Sequence, residues 1–176
     1  VGNSRDENHT FIYLTHHFTE RRLPVPRILA VDDDELRYLQ TDLGSTSLFD
    51  VLRGGRESGG RYNMHEKQLL TAVIRELPNI QIRGARGLDW QVCYPQPEFD
   101  VDSVLFDLNY FKYCFLKATE LEFHELKLEA NFRLFAKDLT SEKSESFLYR
   151  DFQARNIMLD ADGKPQFIDF QGGRKG

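Results

Sequence analysis

Two short polar motifs near the end of the 176-residue chain decide how it is interpreted: Tyr-Arg-Asp-Phe-Gln-Ala-Arg-Asn at positions 149–156 and Asp-Phe-Gln-Gly at positions 169–172. Between them, two short apolar runs at 157–159 and 166–168 flank a turn that contains Asp162-Gly163. Apolar runs around Asp-Gly predict a β-hairpin, because Gly and Asp tolerate the positive φ that a tight turn demands. A hairpin returns the chain to its starting end, so we expect the two motifs to lie side by side.

The hairpin also predicts which residues face each other. A two-residue turn at Asp162-Gly163 places Asn156 opposite Asp169, with about 5 Å between their Cβ atoms. Two oxygen-bearing side chains at that separation can share a hard cation such as Mg²⁺. Pro165 has no amide donor, so either it lies at an edge position or the turn is wider than two residues. A plain surface hairpin is the alternative that either motif alone favours, whereas both motifs in this order favour a functional site.

Composition excludes several classes of protein. The net charge of −5 argues against a nucleic-acid partner held by a general basic field. No apolar run approaches the roughly 18 residues that a membrane span needs, and no signal-peptide pattern is visible, so we expect no membrane partner. Cys93 and Cys114 are the only cysteines, which fits a reducing cytoplasm better than a disulfide scaffold. The oligomeric state stays open.

Hydrophobic periodicity predicts a mixture of helices and strands. Helices are expected at 6–20, 64–77, 103–118 and 125–139, and strands at 27–31 and 36–41. The acidic turn at 32–34 is interpreted as a solvated hairpin tip, since consecutive carboxylates cannot all face one ion. The apolar and aromatic positions of the 103–118 helix cover too wide a face for a surface helix, which predicts a central core helix.

The two motifs, and the path that leads to them, resemble the aminoglycoside phosphotransferase/choline kinase family, which has the protein-kinase-like fold. The resemblance implies an α+β fold. Residues 1–43 would form part of the N-lobe, with one helix, two strands and the hinge. Residues 44–176 would form a mainly helical C-lobe that carries the catalytic-loop hairpin and is incomplete at its C-terminal end.

Details of the motifs narrow the resemblance. Tyr149-Arg150 stands where that family usually has His-Gly, and Gln171 follows the Asp-Phe pair. The combination is more similar to bacterial cell-wall amino-sugar kinases, which phosphorylate N-acetylmuramate or N-acetylglucosamine at the anomeric hydroxyl. An aminoglycoside- or choline-type acceptor is the alternative within the family.

The resemblance assigns roles position by position. Asp151 matches the catalytic base, and Asn156 and Asp169 match the ligands of the Mg²⁺ that bridges the ATP phosphates. Glu7 matches the glutamate that pairs with the phosphate-binding lysine, although a surface role on the helix suits it equally. Gln40, Asp42 and Leu43 would lie in the hinge, where backbone groups face the adenine ring.

A small hydroxyl-bearing molecule is the expected phosphate acceptor, and the irregular segment 88–100 is expected to line its pocket. Asp89, Trp90, Tyr94 and Asp100 are the candidates to stack on and hydrogen-bond a sugar, although Trp90 equally suits a core anchor. Arg155 faces either the acceptor or solvent. Arg150 is expected to pair with a neighbouring carboxylate.

Some parts of the family pattern are missing from the sequence. No glycine-rich strand-turn-strand and no strand lysine of the Val-Ala-Ile-Lys type occur, and the sequence ends soon after the second motif. We therefore expect a fragment truncated at both ends, which alone lacks part of the machinery for activity. A non-catalytic pseudokinase module is the rival interpretation. The presence of all three polar residues, Asp151, Asn156 and Asp169, argues against it. A protein kinase is a further alternative, disfavoured because no Ala-Pro-Glu segment occurs.

Overall fold

The computed structural model describes residues 4–176 and has mixed α and β structure, which agrees with the predicted α+β class. The helices are α1 (Arg5–Glu20), α2 (Leu48–Val51), α3 (Arg53–Glu57), α4 (Met64–Pro78), α5 (Val101–Phe111) and α6 (Glu125–Leu139). The strands are β1 (Ile28–Val31), β2 (Tyr38–Gln40), β3 (Phe147–Leu148), β4 (Ile157–Leu159), β5 (Pro165–Phe167) and β6 (Arg174–Lys175). They pair as three antiparallel ribbons, β1 with β2, β3 with β6, and β4 with β5. Within residues 4–176, no helix is both long and apolar enough to cross a membrane.

Helix α1 lies against the main hydrophobic core through one apolar face. Phe11, Leu14 and Phe18 are all buried there. The ring centroids of Phe11 and Phe18 lie 5.3 and 5.2 Å from that of Phe170, the second residue of the Asp-Phe-Gln-Gly motif. Aromatic pairs at such separations add to the free energy of burial. The core therefore joins the first helix directly to the second motif.

Strands β1 and β2 form the predicted hairpin, with Ala30 paired to Leu39. Asn8 of α1 fastens the helix to the tip of this hairpin, since its Nδ2 donates to the Glu35 carbonyl at 2.9 Å. The three aspartates of the tip are exposed, and Arg37 pairs with Asp32 at 2.6 Å. In the described part of the chain, no group of three or more His, Cys, Asp or Glu residues is placed to hold a metal ion. The exposure of the three aspartates confirms the interpretation of the tip as solvated.

Strands β4 and β5 form the predicted hairpin, but the predicted register is wrong by one residue. Met158 pairs with Gln166, and Leu159 with Pro165. The turn is the wider of the two alternatives, because the Asp160 side chain holds it open: Oδ1 accepts from the backbone N–H of Lys164 at 2.9 Å. Leu159 and Pro165 form a non-hydrogen-bonded pair, since the Leu159 N–H points away and donates to the Thr46 carbonyl. The missing N–H of Pro165 therefore costs no hydrogen bond between the strands.

The prediction that the 103–118 helix forms the central core is wrong. Helix α5 ends at Phe111, and its aromatic residues are largely exposed; Phe106 is 70% and Tyr110 66% accessible. Helices α5 and α6 pack against each other instead, with Val104 and Phe132 buried. Helical structure continues beyond α5 in a π-helical turn, Lys112–Leu116. The large apolar residues left exposed on α5, this turn and α6 are Val101, Phe106, Tyr110, Phe111, Tyr113, Phe115, Leu126, Leu134, Phe135 and Leu139. A wide apolar face therefore shows only that the helix is apolar, not what covers it.

His17 provides a test of this packing. It is buried in α1 and its Nε2 lies 2.8 Å from the Gly84 carbonyl. Burial lowers the pKa of His17 below its usual 6.5, against the opposing effect of that hydrogen bond. Between the two values the unfolded chain binds more protons than the folded one, so we expect the free energy of unfolding to decrease as the pH falls below about 6.5.

Urea unfolding at pH values between about 8 and 5 measures this dependence. His17→Gln, whose amide can still donate to Gly84, should reduce it. His16→Gln is the matched control, because His16 is the exposed neighbour on the same helix. An unchanged pH dependence in His17→Gln would show that another group is responsible.

Candidate active site

Two antiparallel pairings hold the motifs together. Strand β3, which leads into the first motif, pairs with β6, which follows the second, through Leu148 and Arg174. On the other side, β4 and β5 join the end of the first motif to the start of the second. Tyr149 ties them again, because its phenol donates to the Ile168 carbonyl. Burial raises the pKa of Tyr149, and the nearby charges of Asp169 and Asp151 raise it further, so the phenol stays a neutral donor.

Asn156 connects the polar residues of the two motifs. Its Nδ2 donates to Asp169 Oδ2 at 2.9 Å and to the Asp151 carbonyl at 3.0 Å. The predicted proximity of Asn156 and Asp169 is therefore confirmed, although their register is not as predicted. Asn156 pairs through its backbone with Ile168, and Asp169 is the next residue along. Asp169 has a left-handed backbone, with φ of +64°, a conformation that costs a residue other than glycine about 1–3 kcal/mol.

The Asp151 carboxylate is exposed and forms no hydrogen bond or ion pair with residues 4–176. Gly172 of the second motif lies beside it, since a Cβ there would be in van der Waals contact with Asp151 Oδ2, at 3.8 Å. A carboxylate with open space in front of it and its lone pairs free can accept a proton from a bound molecule.

The donor atoms of Asn156 and Asp169 fit a hard divalent cation. Such ions prefer carboxylate and amide oxygens. Asn156 uses its amide nitrogen within the protein, while its Oδ1 accepts no hydrogen bond from residues 4–176 and is not sealed from solvent. Each Asp169 oxygen accepts one hydrogen bond, from Asn156 or from Gln171, and so keeps lone-pair capacity for an ion.

Glu7 lies beside the second motif. It is half-buried in the first turn of α1, and its Oε1 accepts a hydrogen bond of 3.4 Å from Gln171 Nε2. The same Gln171 nitrogen donates to Asp169 Oδ1 at 2.9 Å. The structure thus brings Glu7 close to the predicted metal ligand, while its pairing with a lysine stays a prediction.

Arg150, immediately before Asp151, is committed to structure. Its guanidinium donates to both oxygens of Asp107 on α5, at 2.9 and 2.7 Å, and lies over the ring of Phe99. The prediction that Arg150 pairs with a neighbouring carboxylate is confirmed. Asp107 was not singled out from the sequence, although an acid within the apolar positions 104–108 is a signal that it has a partner.

The expected hinge segment follows β2. Gln40 pairs with Ile28 inside the β1–β2 ribbon. Beyond it, the Asp42 side chain accepts from the Gly44 N–H at 2.8 Å. The backbone N–H and C=O groups of Asp42 and Leu43 form no hydrogen bond with residues 4–176. Unpaired backbone groups of this kind are available to a ligand.

The residues predicted to line an acceptor pocket are spread over different surroundings. Asp89 caps a turn of 3₁₀ helix, Trp90–Val92, by accepting from the Gln91 N–H. Trp90 packs against the main core, as its alternative interpretation held. Tyr94 is exposed, and the Arg155 guanidinium lies 4.3 Å from the ring centroid of Phe49. Asp100 caps α5, since its Oδ1 accepts from the Ser103 N–H at 2.9 Å.

No hydrogen bond or ion pair in the described range 4–176 joins these five side chains to the polar cluster of the two motifs, which consists of Asp151, Asn156 and Asp169. The end of the same segment does approach the first motif, because the Phe99 ring centroid lies 5.1 Å from the guanidinium carbon of Arg150, the neighbour of Asp151. An acceptor pocket along 88–100 stays a prediction.

The site combines an unpaired carboxylate, Asp151, with the hydrogen-bonded pair Asn156 and Asp169. Kinase-type phosphotransferases use this set of residues, in this order along the chain. Comparison with known protein families matches residues 2–176 to the phosphotransferase enzyme family. The chain belongs to this family, which implies a protein-kinase-like fold and phosphotransferase activity. No curated protein sequence matches the chain.

The hydrogen bond from Tyr149 to Ile168 can be tested by removing only the hydroxyl group. We expect Tyr149→Phe to lower the free energy of unfolding by about 1–3 kcal/mol, since it leaves a carbonyl without its donor. Tyr110→Phe is the matched control, because Tyr110 is exposed on α5. Chemical denaturation of the three proteins gives the comparison, and equal stability of Tyr149→Phe and the unaltered protein would contradict this role of the phenol.

Proposed function

We propose that the protein transfers the γ-phosphoryl group of ATP to a hydroxyl group of a small molecule, and that the molecule is a sugar or an amino sugar. The observation that carries the proposal is the unpaired carboxylate of Asp151, a residue joined through its backbone carbonyl to the Asn156–Asp169 pair. Family membership supports the phosphotransferase class. The choice of a sugar rests on the motif Arg-Asp-aromatic combined with Asp-Phe-Gln.

Asp151 acts as the base in this proposal. The acceptor hydroxyl binds in the open space beside Gly172, and Asp151 takes its proton as the oxygen bonds to the γ-phosphorus. The bond from that phosphorus to the bridging oxygen breaks, and the oxygen leaves with ADP. Because little covalent chemistry falls to the protein, its contribution is positioning and electrostatic stabilisation.

Asn156 and Asp169 would hold Mg²⁺ through the Asn156 amide oxygen and the Asp169 carboxylate. Once bound there, the ion supplies positive charge that offsets the negative charge developing on the phosphate oxygens. The protein contributes a fixed geometry, since Asn156 Nδ2 donates hydrogen bonds both to the Asp169 carboxylate and to the backbone carbonyl of Asp151.

The adenine ring would bind along Asp42 and Leu43, whose backbone groups are unpaired among residues 4–176. This segment is joined to the catalytic hairpin, because the Thr46 carbonyl accepts from the Leu159 N–H at 2.9 Å.

The decisive experiment measures ADP release by the intact natural protein with a panel of hydroxyl compounds. The panel contains N-acetylmuramate, N-acetylglucosamine, choline and an aminoglycoside. Release that needs both the divalent cation and one of the two amino sugars is the expected result. Release with choline or the aminoglycoside alone would refute the amino-sugar assignment, and no release with any compound would favour a non-catalytic module.

Asp151→Ala tests the role of the base. We expect this substitution to lower kcat by about 10²–10⁴-fold or more, the usual contribution of a general base. Asp162→Ala is the matched control, because Asp162 is an exposed aspartate at the far end of the same hairpin. Near-normal turnover by Asp151→Ala would overturn the assignment.

A further inference from the structure

We infer that Gln171 is a positioning residue that sets the orientation of the Asp169 carboxylate for a divalent cation and makes it depend on the position of helix α1. The inference rests on the proposed function, since it concerns the same cation site. The family resemblance assigns no role to Gln171.

The contacts of Gln171 form a bridge between two carboxylates. Its Nε2 donates to Asp169 Oδ1 at 2.9 Å and to Glu7 Oε1 at 3.4 Å. A primary amide nitrogen carries two N–H groups, so one nitrogen can serve both acceptors. Glu7 and Gln171 lie 164 positions apart in the sequence, and this bridge connects the first turn of α1 to the second motif.

The hydrogen bond from Gln171 is the second of two that hold the Asp169 carboxylate. Asn156 Nδ2 donates to Oδ2, and Gln171 Nε2 donates to Oδ1. Hydrogen bonds to both oxygens fix the rotation of the carboxylate plane. One hydrogen bond alone leaves the plane free to turn about it. The carboxylate follows a left-handed backbone, which persists only where its surroundings hold it.

A neutral amide is the suitable group for this position. Glu7 and Asp169 both carry carboxylates, and an acidic side chain between them would add a third negative charge. An apolar side chain would leave both carboxylates without the donor. Gln171 supplies donors without charge, so it holds two like charges near each other while leaving lone pairs of Asp169 for a cation.

Helix α1 also contacts this part of the site through Phe170, the residue between Asp169 and Gln171. The Phe170 ring packs against Phe11 and Phe18 of α1. A shift of α1 moves Glu7 and these rings together, and the Gln171 bridge carries the shift to Asp169. The orientation of the cation ligand is therefore coupled to the placement of the first helix.

The test replaces Gln171 with Met, which has a similar length and no N–H donor. Affinity for Mn²⁺, used in place of Mg²⁺, is measured by electron paramagnetic resonance in the presence of a non-hydrolysable ATP analogue, so no turnover is involved. We expect Gln171→Met to weaken Mn²⁺ binding by about 10–100-fold, the usual effect of removing a hydrogen-bond partner of a metal ligand. The midpoint of thermal unfolding without the cation should stay unchanged.

Gln166→Met is the matched control. Gln166 Nε2 also donates to an aspartate, Asp160 Oδ2, at 3.1 Å in the turn of the same hairpin. It should leave Mn²⁺ affinity unchanged. Gln171→Asn is a second variant that retains the amide but is one methylene shorter, so it cannot span both carboxylates and should also weaken binding.

Coupling to α1 is tested by a double-mutant cycle. Glu7→Ala should weaken Mn²⁺ binding in the unaltered protein and have little further effect once Gln171 is Met, because the two residues act through one bridge. Fully additive effects would contradict the coupling.

Asp169→Asn separates the two levels of inference. If Asp169→Asn weakens Mn²⁺ binding while both Gln171 variants bind like the unaltered protein, the role of Gln171 is wrong and the proposed function stands. If Asp169→Asn itself binds Mn²⁺ normally, the cation site of the proposed function is wrong.

Discussion

Burial of the Phe170 side chain is the constraint on which the site depends. Phe170 is fully buried, with its ring packed against α1. Its two neighbours, Asp169 and Gln171, remain accessible to different degrees. One hydrophobic contact thus fixes the helix, the second motif and the direction of its polar side chains. Loss of a buried phenylalanine costs about 3–5 kcal/mol, so the polar site rests on a contact that is energetically much larger than any single hydrogen bond within it.

The polar cluster is connected to the rest of the chain on several sides. Glu7 links it to α1 through Gln171, and Arg150 links it to α5 through Asp107. The Thr46 carbonyl links the β4 strand to the segment after β2. These connections come from parts of the chain that are distant in sequence. A phosphotransferase needs this arrangement, because its catalysis depends on holding reactants in fixed positions more than on covalent chemistry.

Local signals in the sequence predicted the parts of the fold that depend on neighbouring residues. Periodicity located α1, and the apolar runs around Asp162-Gly163 located the hairpin. The exact register was missed because the Asp160 side chain binds the backbone of its own turn and widens it. The proximity of Asn156 and Asp169 was nevertheless predicted correctly, since a hairpin of either turn length brings the ends of its strands together.

Features set by distant partners were not predictable in the same way. The aromatic residues of α5 have the spacing of a core helix, yet most of them are exposed. Whether such a face is covered depends on other elements, which periodicity does not report. Likewise, the partner of Arg150 was expected to be a carboxylate, but its identity as Asp107 follows only from the packing of α5. Gln171 helped to narrow the family resemblance, but nothing in the sequence indicated its contacts with Glu7 and Asp169, because these depend on how α1 packs against the second motif.

The left-handed backbones of Arg150 and Asp169, with φ of +66° and +64°, have a consequence for how the protein can be stabilised. Both positions favour glycine, which adopts this conformation without steric conflict. Glycine at either would relieve local strain and at the same time remove the ion pair with Asp107 or the carboxylate beside Asn156. A search for stabilising substitutions would therefore be drawn to these two residues, and activity would be the property lost, a trade-off between stability and function.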